Sequence, residues 1–271
     1  MILLPFFLLS LSFISIWIRR DPKIWGSLLG LSLLAGFLVG NLSGFALTVI
    51  AGWAALWVLY AKKQTISIQI ALFAALILIS FGFKFHWFPG FTPVQITGKF
   101  RLGFDGPIVG LFPLALLVPL AKTWRDWKTA LTKGLWLTCL GIGAMAVLAI
   151  ASGTTHWESK LPSAAGLRYL NNLVLTAIPE EAFYRGFIQR ELSQFFKNSR
   201  KGNIFALLFA SLIFALMHLY WSPNLAILGF TFLAGLLYGG VYLLSGKLES
   251  AILCHFLLNF IHVTFFQYHA M

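Results

Sequence analysis

Long apolar runs, interrupted at short intervals by charged or turn-forming residues, set the pattern of this chain. Runs near the roughly 20 apolar residues that a membrane crossing requires cover 2–18, 24–40, 43–61, 65–83, 107–121, 131–151, 165–190, 203–221, 225–244 and 249–267. They predict an all-α fold, a polytopic transmembrane bundle of about 8–10 membrane helices. The weakest run is 107–121, which is short and carries Pro107, Pro113 and Pro119, a composition that allows a broken or re-entrant segment. Residues 2–18 read as an uncleaved first span, because Arg19 and Arg20 follow the apolar run instead of preceding it. The stretch 84–106, with Pro89, Pro93 and several glycines, is expected as a surface loop or interfacial excursion. It separates four N-terminal spans, within 1–106, from a C-terminal bundle, 107–271, expected to hold the active site. The apolar cores of those first spans contain no ionisable residue, so packing, tethering or recruitment is expected of them and not chemistry.

Composition narrows the class. Of 271 residues, 59% are apolar and 10% charged, against about 45–50% and 25% in soluble domains. With a mean hydropathy of +0.85, too little polar surface remains to coat a water-soluble globule. A soluble enzyme, a disordered protein and a disulfide scaffold are excluded; Cys139 and Cys254 both lie in apolar runs. The net charge of +12 comes from 20 Lys/Arg against 8 Asp/Glu. These cations punctuate apolar runs and form no basic patch with interleaved aromatics, so the partner is the lipid bilayer and not nucleic acid. With the N-terminus outside, Lys84, Lys99, Arg101, Lys160 and Arg168 fall on one side and the remaining Lys/Arg on the other. That asymmetry makes the basic loops cytoplasmic, and a multi-pass protein of a prokaryotic inner membrane is expected.

Ionisable residues deep in a span are expensive and need a reason. They gather in three segments: Pro179-Glu180-Glu181-Ala182-Phe183-Tyr184-Arg185-Gly186, Phe214-Ala215-Leu216-Met217-His218, and His255-Phe256-Leu257-Leu258-Asn259. Glu181 and Arg185, four apart with the acid first, form a same-face helical ion pair and are read as supporting residues. Glu180 is rotated about 100° from its neighbour and must find its partner on another helix. Pro179 removes a backbone donor just before it and predicts local irregularity. Glu180 and His218 lie about 27 Å and 24 Å from the polar turn Asn198–Gly202 at 1.5 Å per residue, which puts them at similar depth. His255 and Asn259 share one helical face, with His262 a turn further on. His86, His156 and His269 fall in loops or at the terminus and are read as solvated.

This set suits hydrolysis by activated water. Glu180 with an imidazole, His218, can take a proton from water, and His255 with Asn259 can donate to the oxyanion. The same groups Glu180, His218 and His255 could instead hold a metal that activates the water. No HExxH occurs, so the metal-free version, with no cofactor, is favoured.

Glu180-Glu181-x-x-Tyr184-Arg185-Gly186, Phe214-x-x-x-His218 and His255-x-x-x-Asn259 together resemble the three motifs of the CAAX-protease and bacteriocin-processing (CPBP) family of intramembrane endopeptidases. The glycine-rich run Phe232–Gly240 followed by Ser245-Gly246-Lys247-Leu248 also resembles the family's penultimate helix, and the match covers roughly 165–267. The resemblance implies a glutamate-dependent protease with catalytic Glu180, His218, His255 and Asn259, supported by Glu181 and Arg185. Its substrate would be a membrane-embedded or membrane-adjacent protein or peptide. The rival from another class is a non-proteolytic membrane scaffold or bacteriocin-immunity-type protein that uses the polar cluster structurally.

Overall fold

A computed structural model describes residues 2–62, 64–98, 100–220 and 224–268; Lys63, Lys99, Trp221 and His269 lie outside the described residues. The chain is an all-α polytopic helical bundle with almost no sheet. Among the described residues five helical stretches are long and apolar enough to cross a membrane: Gly44–Ala61, Ile66–Lys84, Trp124–Ala151, Leu225–Ser245 and Leu248–Phe265. Leu31, Leu34, Leu78, Leu140 and Val147 are exposed, an apolar exterior suited to lipid. This is an integral membrane protein.

Packing divides the chain into two compact units, Met1–Val118 with Val174–Glu180, and Pro119–Leu173 with Glu181–Met271. The first unit opens with α1 (Leu4–Ile18) and α2 (Pro22–Leu38). Asp21 accepts from the Lys23 amide, and Pro22 supplies a preset φ at the first helical position. Buried hydroxyls join the two helices: Ser12 donates to the Trp25 carbonyl at 2.8 Å and Ser32 to the Pro5 carbonyl at 2.6 Å. α3 (Gly44–Ala61) and α4 (Ile66–Lys84) follow. Trp53 and Phe83 meet edge to face at 5.3 Å, and Phe83 also meets Phe88 and Phe91, so the end of α4 is pinned by rings.

The 84–106 stretch is not wholly irregular. It folds a short antiparallel hairpin, β1 (Val94–Thr97) and β2 (Phe100–Leu102). α5 (Asp105–Leu116) comes next, with Pro113 inside it and Pro107–Ala115 buried throughout. Its 12 residues span about 18 Å, well short of a bilayer core. The short, proline-rich run is therefore a buried helix that stops at Leu116.

In the second unit, α6 (Trp124–Lys133) starts seven residues before the apolar run 131–151 and lies mostly outside it. A Thr123/Asp126 capping box opens this amphipathic helix, and Trp124 and Trp127 are exposed on it. α7 (Leu135–Ala151) continues beyond Gly134. β3 (Thr155–Trp157) pairs with β4 (Phe266–Tyr268), an antiparallel contact with no precedent in the sequence pattern.

The run 165–190 is one helical stretch with two widened turns: α8 (Ala165–Asn171), a π segment Asn172–Ala177, α9 (Ile178–Phe183), a second π segment Tyr184–Gln189, and α10 (Arg190–Phe195). Proline cannot donate to the ladder and its ring crowds the carbonyl four residues back. The π turn just before Pro179 is the form that irregularity takes, and such turns recur at functional sites.

α11 (Arg200–Leu216), α12 (Leu225–Ser245) and α13 (Leu248–Phe265) complete the unit. Gly246, at φ +66°, makes the left-handed turn between the last two. Lys247 pairs with Asp126, and Ser250 donates to the Ala130 carbonyl at 2.7 Å. α11 ends at Leu216, so His218 lies in the terminating turn and not within the helix as the apolar run suggested.

Candidate active site

In the first unit, Glu180 Oε1 accepts from Lys84 Nζ at 2.7 Å, with the two side chains 10% and 21% exposed. The apolar pattern placed Lys84 outside the fourth span. Its long stem allows a cation rooted at a helix end to reach a buried acid. α5 reaches the same segment through Gly110. A Cβ on Gly110 would lie 1.9 Å from the Pro179 carbonyl oxygen and 2.3 Å from its Cα, so only glycine permits this backbone-to-backbone contact. Trp53 Nε1 donates to the Ile108 carbonyl at 3.2 Å and holds α3 on the same helix. Gly110→Ala should therefore destabilise by about 1–3 kcal/mol and lower folded abundance in membranes, while Gly30→Ala, with nothing near its Cβ, should not. Equal abundance of the two variants would contradict this packing.

Also in this unit, His86 Nδ1 lies 2.8 Å from Asp105 Oδ2, so this loop histidine is an ion-pair partner and not merely solvated. The hydrogen bond to Asp105 raises its pKa above 6.5, against burial and the Lys84 charge. A raised folded-state value means the contribution is fully present below pH 6.5 and fades as pH rises through the folded pKa. Wild-type thermal stability should fall relative to His86→Asn as pH increases from about 6 to 8; parallel curves would remove the pair from the stability account.

In the second unit, Glu181 and Arg185 are fully buried. Arg185 Nε lies 3.1 Å from Glu181 Oε2 and Nη1 donates to Oε1 at 3.2 Å. This is the ion pair that the four-residue spacing predicts. Two further partners complete the arginine: Nη2 donates to the Gly235 carbonyl at 2.8 Å, and the guanidinium carbon sits 4.9 Å from the Phe214 ring centre. Gln189, one turn later, donates to the Gly239 carbonyl at 3.1 Å. The two residues thus read two successive turns of the glycine-rich α12, whose bare backbone admits them.

His255 Nδ1 lies 2.7 Å from Glu181 Oε1. A carboxylate only accepts, so the imidazole donates from Nδ1. The ring stacks on Tyr238 at 4.5 Å and 11°. Glu181 therefore orients His255 as well as pairing with Arg185, a link that no sequence spacing between α9 and α13 reveals. With Nδ1–H committed, His255 can donate from Nε2 as well only as an imidazolium, facing the Glu181 carboxylate.

His218 owes its tautomer to where α11 stops. Its backbone N–H bonds the Ala215 carbonyl at 2.9 Å, in the tighter i−3 pattern, so it does not cap Phe214 in the ordinary way. The His218 ring does so instead, with Nδ1 2.7 Å from the Phe214 carbonyl. A carbonyl cannot donate, so Nδ1 carries the proton and Nε2 is the basic nitrogen of the neutral ring.

Asn259 Nδ2 donates to Asn172 Oδ1 at 3.0 Å, while Asn172 Nδ2 donates to the Phe256 carbonyl at 3.3 Å. The acceptor-only carbonyl fixes which way Asn172 points, and Asn172 in turn fixes Asn259. Asn172, Gln189 and Lys84 were absent from the sequence-based site. The one available signal was an amide within an apolar run, and that applies to the first two alone. Among the described residues no group of three or more His, Cys, Asp or Glu is assembled as metal ligands.

Residues 162–261 match the family model for the Rce1-like type II CAAX prenyl endopeptidases. That segment is similar to the Rce1-like family. It contains all three polar motifs and the glycine-rich α12, and so coincides with the CPBP resemblance seen in those residues. No curated protein and no solved structure matches the chain. The matched segment is thus similar to CAAX-protease-type intramembrane enzymes in general class.

Proposed function

We propose that this protein is an intramembrane endopeptidase of the glutamic type, cutting a membrane-embedded or membrane-adjacent protein or peptide. Glu180, assisted by His218 Nε2, takes a proton from water as the oxygen attacks the scissile carbonyl. His255 and Asn259 donate to the oxyanion that forms. The tetrahedral intermediate then collapses, the C–N bond breaks, and the proton passes to the departing amine. Glu181 and Arg185 hold His255 and the helix around it. The observation that carries the reading is that the Rce1-like segment contains these polar residues in family order, each held by a defined partner. Basic loops in the cytoplasm of a prokaryotic inner membrane complete the proposal.

In a second reading, Glu180, His218 and His255 would hold a metal, which would supply Lewis-acid activation of the water. A third makes the cluster structural glue in a scaffold or immunity-type protein. Mass spectrometry of membrane-peptide termini from wild-type and Glu180→Gln cells separates them. New mature termini in wild type alone, undiminished when membranes are incubated with a chelator, support the glutamic reading. Chelator-sensitive termini favour the metal. Identical termini in both strains overturn proteolysis.

A further inference from the structure

We propose that Lys84 is a positioning residue for Glu180, so that the N-terminal helices hold the proposed base. The inference rests on the endopeptidase reading above and gives those helices a part in it. It starts from the ion pair. A carboxylate in apolar surroundings is costly unless paired and hydrogen-bonded, and Lys84 meets both needs at 2.7 Å.

The place of Lys84 in the fold adds to this. It is the last residue of α4, where the carbonyl end of a helix favours a cation. Its neighbour Phe83 is 1% exposed and ringed by Trp53, Phe88 and Phe91, so the root of the lysine stem is fixed. The backbone of the base is held by the same unit. Val174–Glu180 packs with the N-terminal helices, and Gly110 of α5 presses against Pro179, the residue before Glu180. Both the acid and its counter-ion therefore depend on α4 and α5. Lys84 acts on the reaction only through Glu180, by holding its carboxylate charged and aimed.

The test uses the full-length chain in cells and follows the rate at which the termini that distinguish wild type from Glu180→Gln appear after induction. Lys84→Met keeps the stem and removes the charge, and Lys84→Arg restores a cation. At equal membrane abundance, Lys84→Met should slow the appearance of these termini about 100-fold, the scale of a misplaced catalytic group, and Lys84→Arg should recover most of the loss. A purely structural lysine would instead lower abundance without slowing turnover per molecule. If Lys84→Met fails to accumulate, Lys84→Gln takes its place with the same expectation. Wild-type rates in the uncharged variants overturn the role of Lys84 alone. Identical termini in wild type and Glu180→Gln overturn the endopeptidase reading, and this inference with it.

Discussion

A chain carrying Glu180→Gln should reach the membrane in normal amount and leave its substrate uncut. The amide keeps the size of the acid and can still accept a hydrogen bond from Lys84, yet it cannot take up a proton from water. Loss of a positioned general base costs about 10²- to 10⁴-fold, which on a cellular timescale abolishes the product. One side effect needs control, because the substitution leaves the Lys84 ammonium, 21% exposed, facing a neutral amide. Glu180→Gln with Lys84→Met removes both charges and should be at least as abundant as the single variant while equally inactive. Quantifying precursor and product per copy of the chain checks this. Residual cleavage within tenfold of wild type, on the order of 1.4 kcal/mol, is too much for a protein without its base.

Arg185→Met should be the most destabilising single change in the second unit. The guanidinium and the Glu181 carboxylate are both fully buried, so removing the cation strands a charge that water cannot reach. Breaking a buried pair from one side costs about 3–5 kcal/mol. The Gly235 carbonyl also loses a donor, and three aromatic rings lose the cation packed over them. The damage should reach His255, whose Nδ1 shares Glu181 with the arginine. Glu181→Leu combined with Arg185→Met removes both charges and should recover part of the stability, since a well-packed apolar pair often matches a buried ionic one. It should not recover cleavage, because His255 has lost its acceptor. Thermal unfolding of the purified variants in detergent reads the first effect. A single variant as heat-stable as wild type would mean that the pair contributes little.

Much of the fold was legible in the order of residues. The apolar runs correspond to helices over most of their described residues, five stretches being long enough to cross a membrane, because a run that must satisfy its own backbone in apolar surroundings has no other regular option. The Glu181–Arg185 pair was legible too, since four residues return to the same helical face. α6 was not: its apolar positions are few and its charges many, so no hydropathy window registers it. The β3–β4 contact joins segments more than a hundred residues apart and leaves no periodic trace. His218 read as a helical residue because hydropathy cannot tell a helix from the turn that ends it.

The site divides along the same line. Glu180, His218, His255 and Asn259 stand out in the sequence because polar groups in apolar runs are conspicuous, whatever they contact. What each one touches was decided by tertiary packing. Lys84 on Glu180, Glu181 on His255, Asn172 on Asn259 and the glycine carbonyls on Arg185 and Gln189 are contacts between separate helices. Along one helix the geometry is set by a fixed rise and rotation, so spacing alone yields neighbours. Between helices it depends on which side chains are small enough to let two backbones approach, as Gly110 does at Pro179, and that appears only when the chain is folded.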